Sequence, residues 1–349
     1  MEEELILLLA EFSSEQQLRS WNKLSGGHIH QTFRVQTLTS DLVFQELNPD
    51  IFPDLPGVMS NFQRIQKHLH EKDFPYLLPE FLSWPNGALI HYSPKGKPWR
   101  VMPFLSGYQV KEQTELVDDI KAAANVMGQL CRYLDDLSPQ LMQEVIPGFF
   151  NATKWVDQFY NAWQQAPEYL RETCSHLYEE LSTKSTYSKL PEVRSRVIHG
   201  DGKISNFMFD ANREIAVILD WDTAMAGNIL DEFGYLARSF ISRKAEDDAS
   251  TDSPFLNREF LEILHADFLE TAGDCLSEIE QEQLLYGVKR TVWVQAIRFL
   301  ADHLSGDTYY PVSRLNQNLD RAKNQFGLLL ELEGMELLNT TAIPPFSNG

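Results

Sequence analysis

The spacing of hydrophobic residues changes character partway along the chain. In residues 28–35 and 42–47, β-branched and aromatic side chains fall into extended runs on either side of a polar turn at 37–41, which predicts a β-hairpin. Asn48-Pro49-Asp50 stops the second run, because proline lacks the N–H that a sheet interior requires. Val58, Met59, Phe62, Ile65 and Leu69 then recur at helical spacing and predict one helix over 57–70. Short apolar runs at 88–91 and 99–104 complete a first region that reads as a small antiparallel sheet with one helix.

From Thr114 onward the period lengthens. Leu116, Ile120, Ala123, Ala124, Met127, Leu130, Cys131 and Leu134 mark one face of a long helix, and Pro147-Gly148 breaks the pattern. Helices are predicted over 155–170, 177–181, 260–275, 278–305 and 315–338. Two strand-like runs, 197–198 and 216–219, flank a polar loop. Residues 243–254 read as an exposed loop, and the tail after Thr341 as a frayed end. The fold class expected is α+β.

Composition narrows the possible functions. The 349 residues carry 50 acidic and 30 basic side chains, a formal net charge of -20, and the 21 Phe, 12 Tyr and 7 Trp exceed what a disordered chain holds. The excess is uneven: residues 1–110 hold 9 basic and 12 acidic side chains, and residues 111–349 hold 21 and 38. Without a Lys/Arg footprint, neither nucleic acid nor an anionic membrane is expected as a partner. No run of about 18 apolar residues occurs, and the start of the chain has three Glu where a leader would be basic. A soluble, cytoplasmic protein is expected, monomeric by default. Cys131, Cys174 and Cys275 are odd in number and widely spaced, which points to packed thiols rather than a disulfide framework or zinc site.

The segment that carries chemistry is Val197-Ile198-His199-Gly200-Asp201-Gly202-Lys203-Ile204-Ser205-Asn206, followed by Val217-Ile218-Leu219-Asp220-Trp221-Asp222. A loop carboxylate, an amide five positions on, and a second carboxylate closing an apolar strand form a set of hard oxygen donors. Such a set suits Mg²⁺, which takes one or two protein carboxylates and completes its shell with phosphate oxygens and water. In phosphoryl transfer a loop Asp receives the acceptor's proton while a following Asn and a later Asp hold the metal. Asp201 is thus the candidate base, Asn206 and Asp220 the candidate metal ligands, and Lys203 a charge beside the transferred group. Asp222, two residues after Asp220, would face the same side on a strand. A serine-hydrolase G-x-S-x-G, a zincin H-E-x-x-H and a P-loop are all absent from the sequence.

The H-G-D-x-K-x-x-N and I-L-D-W-D pair resembles the aminoglycoside phosphotransferase and choline kinase superfamily. Phe44-Gln45-Glu46-Leu47-Asn48 with Ile51-Phe52, Ile146-Pro147-Gly148-Phe149, and the stretch from Ala296 through Tyr310 to Phe326 are similar to its N-acetylhexosamine 1-kinase branch. The resemblance runs from about Gly26 to Glu333. It implies the two-lobed protein-kinase-like fold, with a small antiparallel sheet lobe at 1–105 ending in a hinge and a large, mostly helical lobe at 106–349. It implies ATP and Mg²⁺ as cofactors and a free sugar, an N-acetylhexosamine, as acceptor at its anomeric hydroxyl. Gly26 and Gly27, with Gln31, would form the nucleotide loop; Met102 and Phe104 would lie at the hinge that holds adenine; Arg298 and Tyr309, with Asp222, would line the acceptor pocket.

One position departs from the wider kinase pattern. The strand residue that usually supplies a cation to the α- and β-phosphates is Gln45, and the helix over 57–70 has no Glu to pair with such a cation. The resemblance then leaves the cationic contribution to the metal and Lys203. Two alternatives stay open on the sequence: a kinase for an amino-alcohol or aminoglycoside, favoured by the acidic second region, and a nucleotide-binding pseudokinase, favoured by Gln45.

Overall fold

The computed structural model describes residues 1–24 and 29–335. The chain divides into two compact units, one of residues 1–126, 130–147 and 196–226 and the other of residues 127–129, 148–195 and 227–349. The division differs from a boundary after residue 105: the loop and strand that carry Asp201 and Asp220 group with the amino-terminal sheet.

The first unit is built on a five-stranded sheet of order β1-β2-β3-β5-β4, formed by β1 (Leu18–Lys23), β2 (Gln31–Thr37), β3 (Asp41–Glu46), β4 (His91–Tyr92) and β5 (Pro98–Pro103). All four pairings are antiparallel. Alternation along the strands sorts the side chains by face. Phe33, Val35, Leu42, Phe44, Trp99 and Val101 form one buried cluster with Leu5, Leu8 and Leu9 of α1 (Glu2–Phe12). The intervening residues include Thr32, Gln45 and Arg100, which meet one another through hydrogen bonds. Helix α1 is an addition to the single helix expected; its Leu5, Leu8 and Leu9 lie at helical spacing behind the three Glu of its first turn.

The expected helix is α2 (Leu55–Glu71), opened by Asp54, which accepts a hydrogen bond from the Gly57 N–H at 2.9 Å. Its Asn61, fully buried, donates to the carbonyls of Gln143 and Ala224 and accepts from the Gln143 N–H, fastening the helix within the unit. Beyond the sheet lie β6 (Gln109–Val110) and α3 (Val117–Tyr133). Two small sheets follow: β7 (Arg196–Ile198) pairs with β10 (Met225–Gly227), while β8 (Phe207–Phe209) stands between β6 and β9 (Ile215–Ile218).

The second unit is helical: α4 (Ala152–Gln165), α5 (Glu168–Thr183), α6 (Ile229–Ile241), α7 (Arg258–Ala272), α8 (Glu278–Glu282), α9 (Leu284–Leu304) and α10 (Gln317–Gly334). The helix expected over 155–170 ends instead at Ala166, because Pro167 cannot continue it and restarts the chain as α5. That expected over 278–305 is divided at Gln283 into α8 and α9. Helix α9 is buried on nearly all sides, as a helix at the centre of a core must be. Its crossing with α6 depends on glycine: a Cβ on Gly287 would stand 2.6 Å from the Leu230 carbonyl oxygen, and one on Gly234 would stand 2.8 Å from that of Gly287.

Among the described residues no helix is long and apolar enough to cross a membrane, and Cys131, Cys174 and Cys275 are not joined in disulfides. Because the obstacle at Gly287 is backbone rather than a movable side chain, Gly287→Ala is expected to destabilise the fold by about 1–3 kcal/mol through overpacking. A lowered urea midpoint would register this. Gly273→Ala, where an added Cβ meets nothing within 4 Å, serves as the control and should leave the midpoint in place.

Candidate active site

The loop between β7 and β8 is shaped by its own side chains. Gly200 has φ +77, a backbone region that glycine takes freely and a residue with a Cβ does not. His199, fully buried, sits across the loop: Nδ1 accepts from the Asp201 N–H at 3.2 Å, and Nε2 donates to the Leu219 carbonyl at 2.9 Å. Those bonds define the neutral Nε2–H tautomer, and burial pushes the imidazole below its ordinary range in agreement. A single imidazole thereby ties the backbone of Asp201 to the residue before Asp220. The Leu219 N–H returns a bond to the Asn206 carbonyl at 2.8 Å.

Within this frame Asp201, Lys203, Asn206 and Asp220 converge. Lys203 Nζ lies 2.7 Å from Asp201 Oδ2 and 3.9 Å from Asp220 Oδ2. Asn206 donates through Nδ2 to the Asp201 carbonyl at 2.8 Å and to Asp201 Oδ2 at 2.9 Å. Burial alone would raise the Asp201 carboxyl, but Lys203 and the Asn206 amide outweigh it and hold the group below its usual value. Asp220 behaves oppositely: burial and the neighbouring carboxylates Asp201 and Asp222 raise it against the opposing pull of Lys203. Its side chain is still 41% exposed, and its backbone sits in the left-handed region at φ +59.

The donor set fits a divalent cation shared with phosphate. Among the described residues no three or more His, Cys, Asp or Glu side chains gather into a cation cage. With Nδ2 of Asn206 turned to Asp201, the Asn206 amide oxygen and the Asp220 carboxylate are the hard donors on offer. That is the short set Mg²⁺ uses when substrate phosphates complete its shell.

Asp222 corrects one expectation. The residues after Asp220 form a short 3₁₀ turn rather than a strand, so Asp222 does not share a strand face with it. It is 3% exposed, and both its oxygens are engaged by neighbouring side chains. Arg100, on β5 and also 3% exposed, reaches it with two parallel bonds, Nη1 to Oδ1 at 2.7 Å and Nη2 to Oδ2 at 2.8 Å. His30 Nε2 donates to Oδ2 at 2.8 Å, while its Nδ1 accepts from the Asn48 N–H. Burial would raise the Asp222 carboxyl, but Arg100 and His30 together drive it well below the usual range. Arg100 is the member of this network that the sequence reading missed. Its Nε donates to Gln45 Oε1 at 2.8 Å, and Gln45 in turn donates to Thr32 Oγ1 at 3.0 Å. A guanidinium therefore stands on the adjacent strand, in register with position 45, with its charge matched by Asp222.

Of the other expected nucleotide residues, Gln31, Met102 and Phe104 lie on or just beyond strands of the five-stranded sheet. Gly26 and Gly27 lie outside the described residues. Gln31 opens β2 rather than lying in a loop, and accepts a bond from Lys23 at 3.4 Å. Met102 pairs with Val43 near the end of β5, and the Phe104 N–H is engaged by the Asp41 carbonyl at 2.9 Å.

In the helical unit Arg298 and Tyr309 do come together. Arg298 is 6% exposed, and its guanidinium lies 4.1 Å from the Trp155 ring centroid and 5.1–5.7 Å from those of Phe149, Tyr310 and Tyr309. Its polar contacts are long, 3.4–3.5 Å to Tyr235, Gln295 and Tyr309, and its Nε has no partner. Among the described residues no carboxylate forms an ion pair with it. The loop bearing Tyr309 is held by Asp302, whose carboxylate accepts from the N–H groups of Thr308, Tyr309 and Tyr310 and from Asn318.

The buried neutral His199 has a measurable consequence. The unfolded chain takes up a proton there as pH falls below about 6.5, whereas the folded chain resists it, so stability is lost on going below that pH. The urea midpoint should be flat from about pH 8 to 6.5 and decline toward pH 5. In His199→Gln, which keeps a donor for Leu219, the decline should be shallower, the remainder arising from His265, also held down by burial.

Solved structures share this fold. The microcompartment-associated aminopropanol kinase is 15% identical, with 95% of this chain and 96% of that one covered and a TM-score of 0.60. A choline/ethanolamine kinase family protein from Mesorhizobium loti is 17% identical, with 96% and 95% covered and a TM-score of 0.59. Spectinomycin phosphotransferase, solved with ADP and spectinomycin, is 13% identical, with 95% and 98% covered and a TM-score of 0.61. Residues 20–270 match the phosphotransferase enzyme family, a span that holds every member of the Asp201–Asp220 cluster. This chain belongs to that family and is a phosphotransferase.

Proposed function

We propose that the protein is an ATP-dependent small-molecule kinase that transfers the γ-phosphoryl group to the anomeric hydroxyl of a free sugar, an N-acetylhexosamine. Nucleotide use is supported by family membership and by a fold shared with structures whose descriptions name ADP or GDP. Asp201, held ionised by Lys203 and Asn206, orients the acceptor hydroxyl and takes its proton as the new P–O bond forms and the bond from the γ-phosphorus to the bridging oxygen breaks, ADP leaving with that oxygen. Asn206 and Asp220 hold Mg²⁺, which when bound offsets negative charge on the phosphates. Lys203, between the two carboxylates, is within reach of the transferred group.

The observation that carries the acceptor reading is Arg298. A buried guanidinium boxed by aromatic rings and lacking a carboxylate disfavours a cationic acceptor by like charge and favours one bearing a carbonyl or hydroxyl oxygen. This weighs against amino-alcohols and aminoglycosides, despite the acidic composition of residues 111–349. The aromatic rings suit the apolar face of a sugar, and the N-acetyl oxygen suits the guanidinium.

The test is ADP release with Mg-ATP across N-acetylglucosamine, N-acetylgalactosamine, neutral hexoses, choline, ethanolamine and an aminoglycoside. Phosphorus NMR then identifies the product. A 1-phosphate from an N-acetylhexosamine is expected; turnover confined to an amine would replace the acceptor reading, and ADP absent with every acceptor would leave a nucleotide-binding protein. Asp201→Ala is expected to lower kcat by about 10²–10⁴-fold while nucleotide binding persists. Near-normal turnover in that variant would remove Asp201 from the mechanism.

A further inference from the structure

Asp220 holds a left-handed backbone conformation that a non-glycine residue keeps only where its surroundings impose it. On one side the restraint is visible in His199 and Asn206, which bind Leu219. On the other side the turn Trp221–Thr223 is pinned through its middle residue, Asp222, by Arg100 and His30. Arg100 is in turn aligned by Gln45, so the turn is gripped from two strands of the sheet at once. The partners that fix Arg100 are a carboxylate, an amide, the Met59 sulfur at 3.8 Å and, at 4.5 Å, the ring of Phe81. A lysine at position 45 would set a second cation beside this guanidinium; glutamine offers it an acceptor.

We infer that Arg100 is a positioning residue for the metal site: through Asp222 it holds Asp220 in the conformation that presents its carboxylate. This gives the chain a substitute for a strand cation at position 45, acting by geometry rather than by touching phosphate. The inference rests on the reading of Asp220 as a metal ligand.

Removing Arg100 alone would strand a buried carboxylate and risk the fold. The decisive variant is therefore Arg100→Gln/Asp222→Asn, which removes both charges and keeps polar groups at both positions. Mn²⁺ alone is titrated into the full-length protein and followed by the electron paramagnetic resonance of free Mn²⁺, with thermal unfolding recorded in parallel. Arg100 acting through Asp222 should make the double variant bind Mn²⁺ about 10–100-fold more weakly while it still unfolds cooperatively near the wild-type temperature. Arg100→Lys, which keeps the charge but not the fork, should fall between the two. Binding within twofold of wild type, or a loss that merely tracks a collapse in thermal stability, would overturn the inference. Asp220→Asn separates the two layers: if it too binds Mn²⁺ like wild type, the metal reading of Asp220 falls and the inference with it. If only Asp220→Asn weakens binding, Asp220 stands and Arg100 is not its positioning residue.

Discussion

Arg100 and Asp222 are both buried, and neither charge would be tolerated there without the other. Their pairing therefore constrains everything that touches them. The two parallel bonds demand a fixed angle between β5 and the turn after β9, and this angle is set by the register that puts Gln45 opposite Arg100. His30, just beyond the undescribed residues 25–28, closes the remaining side. The face of the sheet that looks away from the α1 core is thus organised around one charge pair. The Asp201–Asp220 cluster is attached to that arrangement through a single turn.

Two buried arginines, one in each unit, are handled by different physics. Arg100 has a carboxylate and an amide at 2.7–2.8 Å and a ring at a greater distance. Arg298 has rings close by and oxygens only at 3.4–3.5 Å. Ring faces stabilise a cation without neutralising it, so Arg298 keeps a field that Arg100 has given up. The first arrangement is closed on itself; the second leaves Arg298 Nε without a partner.

Much of the cluster could be read from the sequence because it is local. Asp201, Lys203 and Asn206 lie within six residues of one another, and the apolar strand ending before Asp220 announces a carboxylate at its tip. The Arg100 network was not legible in the same way. Its members are 55, 122 and 192 positions apart, and an arginine between Trp99 and Val101 reads as the polar side of an ordinary strand. The one available signal was the neutral residue at position 45, which left a charge to be found elsewhere. Asp222 was misread because strand alternation was extended past Asp220, where a left-handed residue ends the strand. Helix α1 is hard to read from the sequence because its buried Leu5, Leu8 and Leu9 share one apolar run with the exposed Ile6 and Leu7, so no helical period stands out. The helix breaks at Pro167 and Gln283 lie in continuous apolar patterns, and only the first carries a residue that forbids helix outright.

Asp302 accepts three successive backbone N–H groups, from Thr308, Tyr309 and Tyr310. A segment anchored in this way has few conformations left to lose, although Tyr309 itself is 37% exposed. The ordering entropy of this segment was settled during folding, so a molecule bound against it as proposed would not meet that cost again. Such a surface discriminates by refusing shapes that do not match it, and it gains little from adapting to those that nearly do.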